Sequence, residues 1–400
     1  MNSISVNPAV RKSNSAIWQA QHPVWALGFR PFYLLAAAFA ALSLPLWIAH
    51  YLGWLNRWPQ VNVAWHMHEM VFGMAIAVII GFLYTAGRNW TGLATPSKRH
   101  LALLAGCWLI GRLAMLLAVP TWAAVLDLAF LPLAAWPLYR VLQQSGNMRN
   151  MFLIVLLGLL SLANAVFHAG VLGLIVLAPA TTVHAAILLI VIMESVIGAR
   201  VIPMFTQNGV PGVLAIVHPW LNRSAVAALL LASLAWVAAA PAPLLALLCA
   251  GAACIVMARL ALWQPHRTLG APIVWILQIS YAWIPVGFFL LALAALDLIP
   301  ASAAWHALTV GSMAGLILGM MTRTTLGHTG RPLKTGCLEL ALYLLIQTAA
   351  LARVAASLLT PALYQASLVL AMFCWCAAFL LFLFAYTPYL LSVRVDGREG

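Results

Sequence analysis

Residues 178–199 read APATTVHAAILLIVIMESVIGA, a run of 22 residues in which Glu194 is the only side chain with a full charge at neutral pH. A bilayer core about 30 Å thick takes roughly 20 helical residues to cross. The run therefore has the length and the apolar character of one transmembrane helix. Hydrophobic residues make up 65% of the 400-residue chain and charged residues only 7%, which exceeds what a soluble core requires. The sequence predicts an all-α polytopic membrane protein.

Twelve runs of this kind follow one another along the chain. Their predicted boundaries are 28–53, 63–86, 100–118, 121–142, 150–172, 178–199, 223–240, 243–263, 272–296, 302–322, 337–358 and 363–391. The first run is too long for the core of a signal peptide and eleven more follow it, so we expect no cleaved targeting segment. The sequence thus predicts one twelve-helix domain over 28–392, with polar tails over 1–27 and 393–400.

The basic residues are distributed unevenly between the two sides of the predicted bundle. The net charge of +13 would favour a nucleic-acid partner in a soluble protein. Here all but three of the twenty lysines and arginines fall in the tails or near every second connection, and the exceptions are Arg57, Arg112 and Arg353. Because loops rich in Lys and Arg stay in the cytoplasm, both tails are predicted to be cytoplasmic. The excess charge therefore reflects topology, and we expect membrane lipid rather than nucleic acid as the partner.

Five of the eleven histidines fall near the same ends of four predicted helices. His66 and His68 open the second span, and His168 closes the fifth. His184 and His306 lie in the second turns of the sixth and tenth spans. At 1.5 Å per residue, all five lie on the order of 5–10 Å below the predicted periplasmic boundary. A single histidine at this depth is commonly an interface or hydrogen-bonding residue. Five buried imidazoles in one layer each need a partner, however, and a metal or haem would supply one for several together.

The segment His66-Met67-His68-Glu69 limits how these ligands can be used. Residues two apart on a helix differ by about 200° in direction, so His66 and His68 are expected to face two centres, or one of them a neighbouring helix. Glu69 shares a face with His66 and could orient an imidazole or relay a proton. A structural ion pair is not expected for Glu69, because so few basic residues lie on that side. Neutral imidazoles suit haem iron or copper better than magnesium or calcium, and zinc stays possible.

Glu194 lies about three turns deeper than His184 in the sixth span. A carboxylate at this depth costs about 2.5–3.5 kcal/mol on insertion scales, so it needs a partner or a water path. Proton transfer toward the histidine layer makes Glu194, together with Glu69, a candidate catalytic residue. A hydrogen bond to a neighbouring helix is the alternative interpretation.

Two polar segments, 198–208 and 322–332, are predicted to be cytoplasmic connections. Arg200, Arg323 and Arg331 could hold a carboxylate, a propionate or a quinone headgroup, and His328 lies in the same segment as the last two. Arg200, Arg323 and His328 are therefore added to the candidate cofactor-binding residues, although arginines at these positions could equally serve as topology determinants.

The tenth span carries Gly311, Gly315 and Gly319 at a four-residue spacing. Small residues at this spacing let the backbone of another helix approach closely. A tight helix–helix contact is therefore predicted for the span that also bears His306.

Five motifs occur in order along the chain. They are Gly28-Phe29-Arg30-Pro31-Phe32, Trp65-His66-Met67-His68-Glu69-Met70-Val71-Phe72-Gly73, Asn89-Trp90-Thr91-Gly92, Arg200-Val201-Ile202-Pro203 and Leu326-Gly327-His328-Thr329-Gly330-Arg331-Pro332. Each is weak alone, but the ordered combination resembles the NnrS family over nearly the whole chain after the N-terminal tail. The resemblance implies a twelve-helix bacterial inner-membrane protein that contains haem, expected to be of the b type, and copper. It also implies a role in denitrification and in resistance to nitric oxide, or nitrosative, stress.

Three functions compete on these observations. The leading one is a haem and copper protein that relieves nitric oxide stress. If it is catalytic, the expected chemistry is that of an oxidoreductase of the nitric oxide reductase type, with electrons from a quinol or another donor. The second is a twelve-helix secondary transporter of a metal, haem or iron–nitrosyl complex. Transporters usually bind near the midplane in broken helices, whereas the polar cluster here lies off-centre. The third is a haem-based sensor or assembly factor without turnover.

Overall fold

Twelve long helices form the molecule, which a computed structural model describes over residues 16–398. Each helix is long and apolar enough to cross a membrane. They are α1 (Phe29–Tyr51), α2 (Val63–Thr91), α3 (Lys98–Leu117), α4 (Pro120–Gln144), α5 (Met148–Val171), α6 (Pro179–Gly209), α7 (Pro219–Val237), α8 (Ala242–Ala261), α9 (Pro272–Ala295), α10 (Ala301–His328), α11 (Cys337–Leu358) and α12 (Ala362–Leu390). No β-strand occurs in this part of the chain. The prediction of an all-α polytopic fold with twelve spans is confirmed.

The beginning of α1 and the end of α12 lie together. The Arg30 guanidinium, in the first turn of α1, donates to the Leu390 carbonyl at 2.9 Å and to the Ser392 carbonyl at 2.7 Å. An even number of crossings brings the two ends of the chain to the same side, as predicted. We term this side the inner end, predicted to face the cytoplasm, and the opposite side, where α2, α6 and α10 begin, the outer end.

The two polar segments that were expected to be connections are mostly helical, which corrects that prediction. α6 continues to Gly209 and α10 to His328. The helix persists because its polar side chains find partners. In α6, the Thr206 hydroxyl donates to the Ile202 carbonyl at 2.9 Å and accepts a hydrogen bond from the Gln278 amide of α9 at 2.8 Å. The inner-end residues of α6 and α10 are less apolar than the rest of each helix, but the helical backbone hydrogen bonds continue through them.

α2 and α10 each contain a π-helical segment just after their outer-end histidines. These segments span Glu69–Ala75 in α2 and Ala307–Ala314 in α10. A π-turn changes the direction in which the side chains before it point relative to those after it, and such turns are frequent at functional sites. Hydrophobic periodicity carries no sign of them, and the sequence analysis did not predict them.

α9 packs closely against α10 along the three glycines, as predicted. A Cβ atom added at Gly311 would lie 2.3 Å from the Trp283 ring, and one added at Gly315 would lie 2.3 Å from the Ser280 hydroxyl oxygen. Gly319 is crowded in the same way, at 2.8 Å from a leucine methyl of α9. Glycine at these three positions therefore allows α10 to pack directly against α9.

α2, α6 and α10 form the centre of the bundle. α2 and α10 are its most enclosed helices, and α6 contacts both of them. α1, α9, α11 and α12 pack around this centre. Each central helix begins at the outer end with one or two of the predicted histidines, so four of the five predicted histidines lie on these three helices.

Candidate metal and cofactor sites

The five predicted histidines all lie at the outer end, and the structure divides them into two groups. His68 and His168 belong to a buried charge cluster, which consists of His68, Glu69, Arg112, Asp127, Asn164 and His168. His66, His184 and His306 line a cavity among α1, α2, α6, α10, α11 and α12. His66 and His68 thus face different surroundings, in agreement with their two-residue spacing.

His68 is held at both ring nitrogens within the charge cluster. Its Nδ1 lies 2.9 Å from Glu69 Oε1, and its Nε2 lies 2.8 Å from Asn164 Oδ1 and 3.3 Å from Asp127 Oδ2. The imidazole, the Glu69 side chain and the Asp127 side chain are almost completely buried. Glu69 therefore orients the imidazole of its own neighbour rather than that of His66.

Asp127 joins the two histidines of the charge cluster. Its Oδ2 accepts a hydrogen bond from the Asn164 amide at 2.7 Å and lies 2.9 Å from His168 Nε2. The sequence analysis missed Asp127, although a signal was present. α4 begins at the outer end, so Asp127, about two turns into the helix, lies at a depth similar to that of His168 and within reach of the histidine layer.

Arg112 of α3 completes the charge cluster and corrects an expectation. Its Nη1 donates to Glu69 Oε1, and its Nη2 donates to Asp127 Oδ1. The expectation that Glu69 has no ion-pair partner was wrong, because one of the three arginines on the outer side reaches it. The cluster sets two carboxylates against one permanent cation, so a second positive charge, on an imidazole or a metal ion, would balance it.

The charge cluster has the donor atoms of a metal site. One ligand atom from each of His68, Asp127 and His168 lies within 4.8 Å of the others, and no other three His, Cys, Asp or Glu residues of 16–398 meet this condition. Two imidazoles and a carboxylate suit copper, zinc or iron better than magnesium. A bound ion would replace the protons that these donor atoms share.

A cavity of about 460 Å³ holds the other three histidines. Its volume lies within the roughly 300–1,000 Å³ of ligand and cofactor sites. The walls are mainly apolar and include Trp47, Trp305 and several methionines, while the polar groups are the three imidazoles, Arg353 and a few hydroxyls. An enclosure of this kind fits a flat and largely apolar cofactor such as haem better than a hydrated ion.

The cavity imidazoles keep nitrogen lone pairs free for a metal. His306 Nδ1 lies 2.7 Å from the Ser302 carbonyl oxygen. A carbonyl only accepts, so the proton sits on Nδ1 and the lone pair on Nε2, which is how metal-bound histidines are commonly oriented. His184 stacks on the Trp305 ring, with centroids 4.0 Å apart and planes 6° apart. The buried Nδ1 of His66 has no hydrogen-bond partner in the described chain.

Glu194 lies deeper in the bundle than the cavity. Its Oε2 accepts a hydrogen bond from the Ser312 hydroxyl of α10 at 2.8 Å. It also lines a second, apolar pocket of about 100 Å³, and Met313 forms part of the wall of both this pocket and the cavity. The hydrogen bond to a neighbouring helix is the partner that the alternative interpretation of Glu194 predicts.

The three candidate residues at the inner end lie far from the histidines. Arg200 donates to Asn150 Oδ1 at 2.7 Å, the Arg323 guanidinium lies 3.8 Å from the Phe205 ring centroid, and His328 packs against a phenylalanine of α1. Within α10, Arg323 follows His306 by 17 residues, which is roughly 25 Å of helix. These side chains therefore cannot touch a group that the histidines hold.

A comparison with protein-family models matches residues 23–394 to the model described as NnrS protein. The matched range includes all twelve helices, the charge cluster and the cavity. No curated protein matches the chain.

Proposed function

The chain belongs to the NnrS family of membrane proteins of the nitric oxide response, and on this premise we propose that it contains haem and copper in the bacterial inner membrane. We propose that it binds or reductively removes nitric oxide or nitrosyl species at its outer end. The observation that carries the proposal is the cavity, where three imidazoles share one apolar enclosure and His306 presents a free Nε2 lone pair. The general association of the family with haem and copper supports it.

His66, His184 and His306 are assigned to a b-type haem. Their nitrogens do not form a group within 4.8 Å of one another, which suits a cofactor wider than a single ion. His306 is the strongest candidate to hold the haem, because the Ser302 carbonyl fixes its tautomer. When bound, haem iron and copper would supply the binding of nitric oxide and one-electron chemistry.

His68, Asp127 and His168 are assigned to copper, with zinc as the competing ion. The donor set and its spacing support this assignment. Glu69 orients the His68 ring through Nδ1, which is the role of residues around a metal site. Copper would take the place of the hydrogen bond between His68 Nε2 and Asn164 Oδ1.

Glu69 and Glu194 are proposed to hold and pass protons. Reduction of two nitric oxide molecules to nitrous oxide and water consumes two electrons and two protons, so a reductive role needs a proton supply as well as a quinol or other electron donor. Glu69 bonds to His68 in the charge cluster, and Glu194 lies on the inner side of the cavity beside Ser312. These contacts support a role for both carboxyl groups in delivering protons to the outer-end sites.

Optical spectra and metal analysis of one preparation test the proposal. The detergent-purified protein is recorded oxidised and dithionite-reduced, with and without nitric oxide, and haem and copper are quantified in the same sample. We expect a Soret band that shifts with nitric oxide, and copper alongside it.

Alanine variants test the two assignments separately. His306→Ala is expected to lower haem and leave copper, whereas His168→Ala is expected to lower copper and leave haem. His218→Ala is the matched control, because His218 is exposed at the start of α7 and should change neither. A folded preparation with neither haem nor copper would contradict the proposal and favour the transporter.

A further inference from the structure

Arg353 of α11 lies on the wall of the cavity without a carboxylate partner. Its Nη1 donates to the Ser357 hydroxyl at 2.8 Å and its Nη2 to the Ser302 hydroxyl at 3.3 Å. Within residues 16–398, no Asp or Glu side chain lies within ion-pair distance of it. Its positive charge is therefore stabilised by two neutral hydroxyls, and the guanidinium lies beside the cavity.

The depth of Arg353 makes an uncompensated charge costly. The residue precedes the end of α11 at Leu358 by five positions, which is roughly 8 Å of helix. Cations at membrane depth usually pair with an anion or face a polar cavity. A guanidinium has five N–H donors, and the two serines use only two of them. The remaining donors are available to a ligand in the cavity.

The same wall offers further donors and is tied to the histidine. Tyr51 and Tyr364 line the cavity with their hydroxyls 3.2 Å apart. Ser302 bonds to Arg353 through its hydroxyl and to His306 through its carbonyl. Ser302 thus links Arg353 to His306, and both side chains line the same cavity.

We propose that Arg353 is an anion-binding residue of the cavity, and that with Tyr51 and Tyr364 it holds an anionic oxygen of a ligand in the cavity. This inference rests on the proposed function and deepens it. Guanidinium groups bind carboxylates through paired, charge-assisted N–H···O bonds. Two kinds of anion could bind in this way: a carboxylate side chain of a porphyrin, or a small free oxyanion such as nitrite.

The first experiment measures the discrimination between a charged and an uncharged porphyrin. Full-length protein produced without haem is titrated with ferric protoporphyrin IX and with its dimethyl ester, which lacks the carboxylates. We expect the wild type to bind the free acid at least about tenfold more tightly, the scale of one charge-assisted pair. Arg353→Met should bring the ratio near one, and Arg353→Lys should give an intermediate value. Arg57→Met is the matched control, since Arg57 is exposed on the outer side.

The second experiment is a calorimetric titration of the same proteins with nitrite, which needs no haem. If nitrite binds the wild type and Arg353→Met loses that binding while the acid-to-ester ratio is unchanged, the anion is a free oxyanion. If the ratio falls instead, the anion is the porphyrin carboxylate. Both outcomes support Arg353 as the anion site.

Size-exclusion profiles and circular dichroism establish that each variant is folded. The inference is overturned if folded Arg353→Met keeps both the acid-to-ester ratio and the nitrite affinity of the wild type. It is also overturned if the wild type binds both porphyrins with equal affinity and does not bind nitrite. Failure of the proposed function is distinct, because it appears as a wild type that binds no porphyrin of either kind, whatever the nitrite titration gives.

Discussion

Asp127 is the side chain on which the charge cluster depends, because it contacts both histidines and Arg112. We expect Asp127→Ala to lose copper and to lower the free energy of unfolding by about 3–5 kcal/mol, since the change leaves a buried cation without one of its two partners. Thermal unfolding in detergent and metal analysis measure the two effects.

The matched control for Asp127→Ala is Asp297→Asn, because Asp297 lies exposed in the turn after α9 and asparagine tolerates its left-handed backbone conformation. Its unfolding temperature and copper content should stay at the wild-type values. Retention of copper by a folded Asp127→Ala would show that the charge cluster is a structural ion network and that copper binds elsewhere.

The positions of the five histidines could be predicted from the sequence, but their partners could not. Depth follows from the position of a residue along a span, so the outer-end layer was predictable. Which side chains meet across that layer depends on how α2, α3, α4 and α5 pack, and no single-helix pattern encodes it. Arg112 was identified on the outer side, and only the packing shows that it bonds to Glu69.

The contact between α9 and α10 positions the cavity histidine of α10. We expect Gly311→Ala to lower the free energy of unfolding by about 1–3 kcal/mol, because the added Cβ would meet the rigid Trp283 ring and the helices must separate. Haem content should fall with it. Differential scanning fluorimetry and haem quantification on the same sample measure both.

Gly251→Ala serves as the control for Gly311→Ala, since a Cβ at Gly251 in α8 meets nothing within 4 Å. Alanine favours a helix by up to about 1 kcal/mol over glycine, so this variant should be neutral or slightly more stable. Equal losses in both variants would mean that glycine is needed for some reason other than the close approach of α9.

The π-helical segments set side-chain directions that a regular 3.6-residue period does not predict. An added residue within a turn rotates the preceding side chains by about 100° relative to those that follow. His66 and His306 precede such segments, so their directions cannot be read from an unbroken helix. α2, α6 and α10 nevertheless stay helical from end to end, which differs from the broken helices typical of secondary transporters and favours the cofactor interpretation.

The number and limits of the spans were predictable because the bilayer imposes them. An apolar run must reach about 20 residues to cross, and all twelve predicted runs are helices in the structure. The largest errors lie at the inner ends of α6 and α10, where polar residues continue a helix by bonding to neighbouring helices. The orientation of the bundle stays a prediction from charge, since nothing in the geometry distinguishes the two sides of a membrane.

Labelling of cysteines in spheroplasts tests that orientation. Val176 is fully exposed in the outer-end connection between α5 and α6, and the native Cys337 is exposed at the start of α11 at the inner end. We expect a membrane-impermeant maleimide to modify Val176→Cys in intact spheroplasts and Cys337 only after permeabilisation, as read by site-specific mass spectrometry. Labelling of the wild type gives the background from its six native cysteines. The reverse pattern would place the charge cluster and the cavity toward the cytoplasm, and nitric oxide arriving from outside would then have to cross the bilayer to reach them.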